Sequence, residues 1–224
     1  MQIAHGLDAV RASIADACAL ARRDPASVRL VAVSKKHLVE CVIDARSCGQ
    51  VDFGENYAQE LAGKAADTRT QGVTWHHIGR VQSSNAKSIA QFADYVHGLE
   101  DAKAASALSR HAHTAGRTIK VMLAVNFGDE EQKSGVAPSE VPRLADEVRA
   151  MPSLQLVGLM TLPPPDVEIA SRHFHELYTL REQLGGAALL PELSMGMSHD
   201  MTQAIAAGAT MVRVGTAIFG TRIS

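Results

Sequence analysis

Eight short apolar segments recur along the chain, and each is followed by a segment of helical periodicity or by the start of one. The predicted strands cover residues 28–34, 51–53, 73–78, 95–97, 119–126, 154–160, 192–195 and 211–215. Strict alternation of strands and helices predicts a parallel sheet with helical crossovers. Eight such units in 224 residues predict an α/β fold, one closed (β/α)8 TIM barrel that forms a single domain over residues 1–224.

An extra helix over roughly residues 3–22 precedes the first strand, because Ile3, Leu7, Val10 and Ile14 recur at helical spacing. The helix after the eighth strand must be very short. We therefore expect the N-terminal helix to help cover the barrel beside it. The alternative fold is a doubly wound open sheet, which would leave edge strands that the pattern does not evidently protect.

The composition limits which classes of binding partner we expect. Hydrophobic residues make up 46% of the chain and the formal net charge is −2, so we expect neither nucleic acid nor an anionic membrane surface as a partner. No apolar run approaches the roughly 20 residues of a membrane span, and the N-terminus lacks the pattern of a signal peptide. Cys18, Cys41 and Cys48 form no CxxC pair, which indicates reduced thiols. We expect a cytoplasmic monomer.

The first strand ends in two lysines. Residues 28–34 form a run of β-formers broken only by Arg29, and Lys35 and Lys36 follow directly. The carboxyl ends of parallel strands carry the chemistry of α/β proteins, and desolvation there favours a neutral amine. A neutral lysine amine can form a Schiff base with an aldehyde. The alternative is that both lysines are solvated loop residues.

The eighth strand leads into a Gly-Thr turn. Gly215 and Thr216 open a short helix, and barrel proteins often bind phosphate at helix N-termini after strands seven and eight. Gly215 would let a phosphate approach the backbone, while Thr216 and Ser198 would add hydroxyl groups. An ordinary strand–turn–helix junction is the alternative. Arg213 shares a side of its strand with Gly215, which favours an inward side chain over one that extends between the outer helices.

The carboxylates and histidines of the sequence give no comparable indication of a catalytic or metal site. No pair of carboxylates suggests glycosidase-type acid–base catalysis, and no group of residues has the spacing of a metal site. The paired histidines His76–His77, His111–His113 and His173–His175 diverge on their strand or helix, so we interpret them as packed or solvated.

The lysine and the phosphate turn together indicate a phosphorylated aldehyde. Pyridoxal 5′-phosphate (PLP) meets both requirements, and so does a sugar phosphate bound by a Schiff-base aldolase. The residues alone leave both open. Lys133 is a second loop lysine near the same rim, and it is either a contact to substrate or phosphate, or a solvated side chain.

At these positions the sequence resembles the YggS/PROSC family, the pyridoxal phosphate homeostasis proteins. The matching motifs are Leu30-Val-Ala-Val-Ser-Lys35, Phe53-Gly-Glu-Asn-Tyr57, Trp75-His-His-Ile-Gly79 with Gln82, Lys133-Ser-Gly135, Gly158-Leu-Met160, Ser194-Met-Gly-Met-Ser198 with Asp200-Met201, and Met211-Val-Arg-Val-Gly-Thr-Ala-Ile-Phe-Gly220. They span nearly the whole chain in order. One departure follows the third strand, where family members commonly read Gln-x-Asn-Lys and this chain reads Gln82-Ser-Ser84-Asn85-Ala-Lys87. Any contact made by that Asn and Lys is left open.

The resemblance implies a barrel like the N-terminal domain of alanine racemase, with PLP held as a Schiff base on Lys35. It implies that Asn56 lies beside the cofactor and that Arg213 faces the pyridine nitrogen. The phosphate would be held by Ser198, Gly215 and Thr216. Because a guanidinium stays protonated, the ring nitrogen would stay unprotonated and the ring would be a weak electron sink.

The resemblance suggests two functions. In the first, the protein holds, buffers or delivers PLP in vitamin B6 homeostasis, with PLP-dependent apoenzymes as recipients and a further role in amino-acid homeostasis. In the second, it is a PLP-dependent amino-acid racemase. A racemase of this type would carry a tyrosine base in a second domain, whereas this sequence ends at Ser224, and Tyr57, Tyr95 and Tyr178 are no evident replacement. We expect the first function, with Lys35 as the anchor of the cofactor and with at most weak racemase-type activity.

Overall fold

The computed structural model describes residues 2–128 and 134–221. Eight parallel strands close into a barrel in chain order, and the last strand pairs with the first. The strands are β1 (Arg29–Val33), β2 (Asp52–Glu55), β3 (Thr74–Arg80), β4 (Tyr95–Leu99), β5 (Ile119–Ala124), β6 (Leu154–Met160), β7 (Glu192–Ser194) and β8 (Met211–Val214). In the register of β1, Ala32 pairs with Phe53 on one side and with Val214 on the other. The predicted (β/α)8 barrel is confirmed, and the alternative of an open sheet is wrong.

Helices surround the barrel. They are α1 (Gln2–Leu20), α2 (Val39–Ser47), α3 (Ala58–Ala65), α4 (Ala86–Phe92), α5 (Ala102–Thr114), α6 (Val141–Arg149), α7 (Val167–Gln183), α8 (Gly186–Leu189), α9 (Met201–Ala206) and α10 (Thr216–Phe219). Across the described residues, these helices are all too short or too polar to cross a bilayer.

Several strand boundaries differ from the predictions by one or two residues. β3 continues to Arg80, beyond its predicted end, because Arg80 still pairs with Gly98 of β4. Pro138 opens a single 3-10 turn, and α6 begins after it at Val141. Gly185, at φ +104°, follows the end of α7, and a further short helix, α8, begins at the next residue.

The N-terminal helix packs against the end of the chain. α1 contacts α2, α9 and α10, and Leu7, Val10 and Ile14 are buried beneath it. Gly6 lies so close to α10 that a Cβ atom there would stand 2.7 Å from the carbonyl oxygen of Ala217. The expectation that this helix covers the barrel beside the short last helix is confirmed.

Two apolar layers stabilise the barrel. The larger lies between strands and helices and includes the fully buried Phe53, Leu61 and Phe174. A smaller cluster fills the barrel interior with Val31, Tyr95, Met122, Ala124, Val157, Met160 and Met211. Because alternate strand residues share a face, the inward position of Met211 also directs Arg213 into the barrel.

Candidate functional site

A cavity of about 360 Å³ opens at the carboxyl ends of the strands, within the range of about 300–1,000 Å³ that is typical of small-molecule sites. The six residues predicted to bind a cofactor all line it, namely Lys35, Asn56, Ser198, Arg213, Gly215 and Thr216. The remaining lining residues are Val33, His37, Ile78, Met160, Leu162, Met197 and His199. The fold therefore gathers one candidate site from both ends of the chain.

The turn after β1 separates the two lysines. Lys35 is half-buried and lines the cavity, whereas Lys36 is exposed and does not. Lys36 adopts the left-handed conformation at φ +62°, and its backbone N–H donates to Oε2 of Glu60 at 2.7 Å. This turn directs Lys35 to the cavity and Lys36 to solvent.

A buried ion pair supports the backbone that carries Lys35. Nζ of Lys64, on α3, donates to Oε1 of Glu55 and to the carbonyl oxygen of Ser34, each at 2.7 Å. The hydroxyl of Ser34 also donates to Oε1 of Glu55, at 2.6 Å. Burial raises the pKa of Glu55, although the charge of Lys64 offsets part of this shift. Sequence analysis missed this pair, because Lys64 has the spacing of an ordinary surface lysine on a helix.

Arg213 extends into the barrel and is buried. Its Nη1 donates to Oγ of Ser194 at 2.5 Å, and its Nη2 donates to the carbonyl oxygen of Thr161 at 3.0 Å. Burial lowers the pKa of Arg213 to about 10, and the carboxylate of Asp200 offsets part of that effect. The guanidinium therefore stays charged at neutral pH. The predicted inward orientation is confirmed, and an outward, solvated orientation is wrong.

The loops after β7 and β8 form the other wall. Ser198 lies in a loop that Asp200 closes by accepting a hydrogen bond from the N–H of Met197 at 2.6 Å. Thr216 is the first residue of α10, and the first-turn N–H groups of a helix have no partner within the helix. A Cβ at Gly215 would stand 3.0 Å from the carbonyl oxygen of Val33, so close packing of β1 on β8 is a second reason for glycine there.

Asn56 follows β2 and packs against β3. A Cβ at Gly79 would stand only 2.1 Å from the carbonyl oxygen of Asn56, so glycine at this position sets how close the two strands can come. In the loop that departs from the family pattern, Oδ1 of Asn85 accepts from the N–H of Gln82, and Nδ2 donates to the carbonyl oxygen of Arg80. These bonds fold the loop on itself rather than toward the cavity. Lys133 lies outside the described residues.

Sequence analysis anticipated neither the placement of His37, His97 and His199 nor the partners of His76. His37 and His199 line the cavity. His76 and His97 lie buried inside the barrel, where Nδ1 of His76 and Nε2 of His97 are 2.9 Å apart. His76, interpreted from the sequence as packed or solvated, is packed. Within residues 2–128 and 134–221, no three His, Cys, Asp or Glu side chains cluster as metal ligands.

The sequence matches the family model described as "Alanine racemase, N-terminal domain" over residues 6–223. A relative from Pseudomonas aeruginosa, named "Pyridoxal phosphate homeostasis protein", is 43% identical over 98% of this chain and 96% of its own length. The chain belongs to the family of pyridoxal phosphate homeostasis proteins. Both the motif resemblance and the barrel of the alanine racemase N-terminal domain are thereby confirmed.

Solved structures agree with this family assignment. PipY from Synechococcus elongatus, determined with PLP bound, superposes with a TM-score of 0.86 at 33% identity, covering 98% of this chain and 100% of PipY. An alanine racemase from Clostridium difficile superposes with a TM-score of 0.73 at 15% identity, covering 88% of this chain and 53% of the racemase. At that identity the second likeness shows a shared barrel and no more.

Proposed function

We propose that this protein binds PLP in the cavity, holds it as a Schiff base on Lys35, and acts in intracellular PLP homeostasis. The observation that carries the proposal is that Lys35, the buried cation Arg213 and the Gly215–Thr216 turn face one cavity of suitable size. The names of the relatives and the PLP in the PipY structure support the same assignment.

The residues present fit this cofactor. Nζ of Lys35 would hold the aldehyde carbon in a C=N bond, with the release of one water. The phosphate would lie against the first-turn N–H groups of α10 and the hydroxyls of Thr216 and Ser198. Asn56 would lie beside the ring. Arg213 uses two N–H groups on Ser194 and Thr161, so others of its five can face the ring nitrogen.

Two observations favour a binding role over a racemase. A charged guanidinium at the ring nitrogen would keep that nitrogen unprotonated, which weakens the electron sink that a racemase needs. None of the three tyrosines lines the cavity: Tyr57 and Tyr178 are exposed, and Tyr95 begins β4 at the opposite end of the barrel. We propose that the protein is a cytoplasmic monomer that buffers PLP or delivers it to apoenzymes.

Reduction of the PLP-loaded protein with borohydride tests the proposed function. The C=N bond becomes a stable amine, so peptide mass spectrometry should find the pyridoxyl group on Lys35. Lys35→Ala should lose the label and the absorbance band of the bound cofactor, while Lys36→Ala, the matched control, should keep both. A label on another residue, or wild-type protein that cannot be loaded, would overturn the proposal. Chiral analysis of amino acids after incubation tests the alternative, because multiple turnovers that depend on Lys35 would establish a racemase.

A further inference from the structure

A chain of hydrogen bonds crosses the barrel interior from the floor of the cavity to the opposite mouth. Nη1 of Arg213 and Nδ1 of His97 both contact Oγ of Ser194, at 2.5 and 2.8 Å. Nε2 of His97 then contacts Nδ1 of His76 at 2.9 Å, and Nε2 of His76 contacts Oδ1 of Asp52 at 2.9 Å. Five side chains from five strands thus form one continuous series.

If both imidazole rings are neutral, the two ends determine the direction of every bond. An arginine can only donate and a carboxylate can only accept. Nε2 of His76 must therefore donate to Asp52, which leaves Nδ1 of His76 as an acceptor for Nε2–H of His97. Nδ1 of His97 must then accept from the hydroxyl of Ser194, and the oxygen of Ser194 accepts from Arg213. In this arrangement each neutral ring carries its proton on Nε2.

The surroundings keep this arrangement in place. Ser194, His97 and His76 have no solvent exposure, and the ring of His76 stacks on Tyr95 with centroids 4.6 Å apart. Burial lowers the pKa of both histidines, which agrees with neutral rings. Asp52 reaches the opposite mouth, where its side chain is 19% exposed.

We propose that Asp52, His76, His97 and Ser194 are positioning residues that fix the guanidinium of Arg213 toward the ring nitrogen of PLP. This inference rests on the proposed function. Ser194 and Thr161 hold the two Nη atoms of Arg213, and the ordered protons behind Ser194 present its lone pairs, not its proton, to the arginine. Arg213 also lines the cavity, so its remaining N–H groups can reach the cofactor. The strength of this cofactor contact is therefore set by residues that the cofactor never touches.

The first test uses the protein without cofactor. Imidazole nitrogen NMR shifts distinguish a protonated from an unprotonated ring nitrogen, and His97→Asn and His76→Asn variants assign the signals. We expect both histidines as neutral rings protonated on Nε2. Protonation of Nδ1 in either ring would overturn the series, whether or not the proposed function is correct.

The second test measures affinity for PLP and for its deaza analogue, in which a C–H group replaces the ring nitrogen. Ser194→Ala should weaken PLP binding about tenfold, as expected for a lost hydrogen bond to a charged group, and leave the affinity for the analogue nearly unchanged. Ser194→Thr, which keeps the hydroxyl, should restore the preference for PLP. Equal losses for both compounds would show a merely structural role and overturn the inference.

A variant at Asp52, the solvent-accessible end of the series, tests the inference even if the buried Ser194→Ala variant fails to fold. Asp52→Ala should also reduce the preference for PLP over the analogue, whereas Lys120→Gln, at the same mouth but outside the series, should not. If wild-type protein binds both compounds equally, the contact at the ring nitrogen is wrong. If it binds neither, the proposed function itself fails.

Discussion

Removal of one member of the buried Glu55–Lys64 pair should destabilise the protein far more than replacement of both. Lys64→Met keeps most of the side-chain volume, but it leaves Glu55 with the hydroxyl of Ser34 in place of a cation. Oε2 of Glu55 already has no hydrogen-bond partner among the described residues. The folded variant must therefore hold an uncompensated buried carboxylate or protonate it.

The cost of protonation sets the size of the effect. A carboxyl group with an ordinary pKa of 4.5 costs about 3.4 kcal/mol to keep neutral at pH 7, because each pKa unit corresponds to about 1.36 kcal/mol. This value lies within the roughly 3–5 kcal/mol expected when a buried pair is broken. Because the pKa of Glu55 is raised in the folded variant, the penalty shrinks as the pH falls. At pH 5.5 it should be only about 1.4 kcal/mol.

Urea unfolding at pH 7 and pH 5.5, without cofactor, measures both values. Lys64→Met should lose about 3 kcal/mol at pH 7, and the double variant Glu55→Gln/Lys64→Met should recover most of that loss. Lys103→Met, at an exposed helical lysine, should change the stability by less than about 0.5 kcal/mol. The reasoning is refuted if Lys64→Met costs less than about 1 kcal/mol, or if its cost is the same at both pH values.

Three further predictions concern the turn after β1, the outer face of β3 and the contact between β2 and β3. Lys36→Val should be about 1–2 kcal/mol less stable to urea than Lys36→Gly, because a branched residue disfavours φ +62°; equal stabilities would contradict this strain. Burial lowers the pKa of His77 to about 4, so the unfolded chain binds the proton first as the pH falls. Wild type should lose about 2 kcal/mol more than His77→Leu between pH 7.5 and 5, whereas parallel urea-derived stabilities would contradict the shift. Gly79→Ala should displace Asn56 and weaken PLP binding at least about tenfold in an absorbance titration. The control Gly63→Ala, where a Cβ would meet no other atom, should not change the affinity. Unchanged affinity in Gly79→Ala would show that β2 and β3 can move apart to accommodate the methyl group.

Much of the fold could be predicted because the barrel repeats one local pattern. Each strand and each helix leaves its own periodicity in the sequence, and parallel topology then places every strand's last residue at the same rim. This is why Lys35 and Thr216, at opposite ends of the chain, could both be assigned to one site. Helix α8 was not predicted because it is a single turn that itself begins at a glycine, Gly186, directly after Gly185.

The partners of buried polar groups could not be predicted in the same way. The family resemblance implies one partner for Arg213, the pyridine nitrogen of the cofactor. The protein partners, Ser194 and Thr161, follow only from how the strands are staggered around the closed barrel. His76 and His97 likewise belong to adjacent strands, and their contact depends on the register between β3 and β4.

The polar series through the barrel also bears on how the chain folds. Asp52, His76 and His97 belong to the first four strands, while Ser194 and Arg213 belong to the last two. The bond between His97 and Ser194 joins these groups across 97 residues of sequence. Either half of the barrel alone would leave Nδ1 of His97 or the hydroxyl of Ser194 without this partner, so the bond forms only when the two halves close into the whole barrel. Contacts of such long range form late, because the entropy of closing the loop must be overcome first. The residues proposed to orient the cofactor contact would thus also make folding more cooperative.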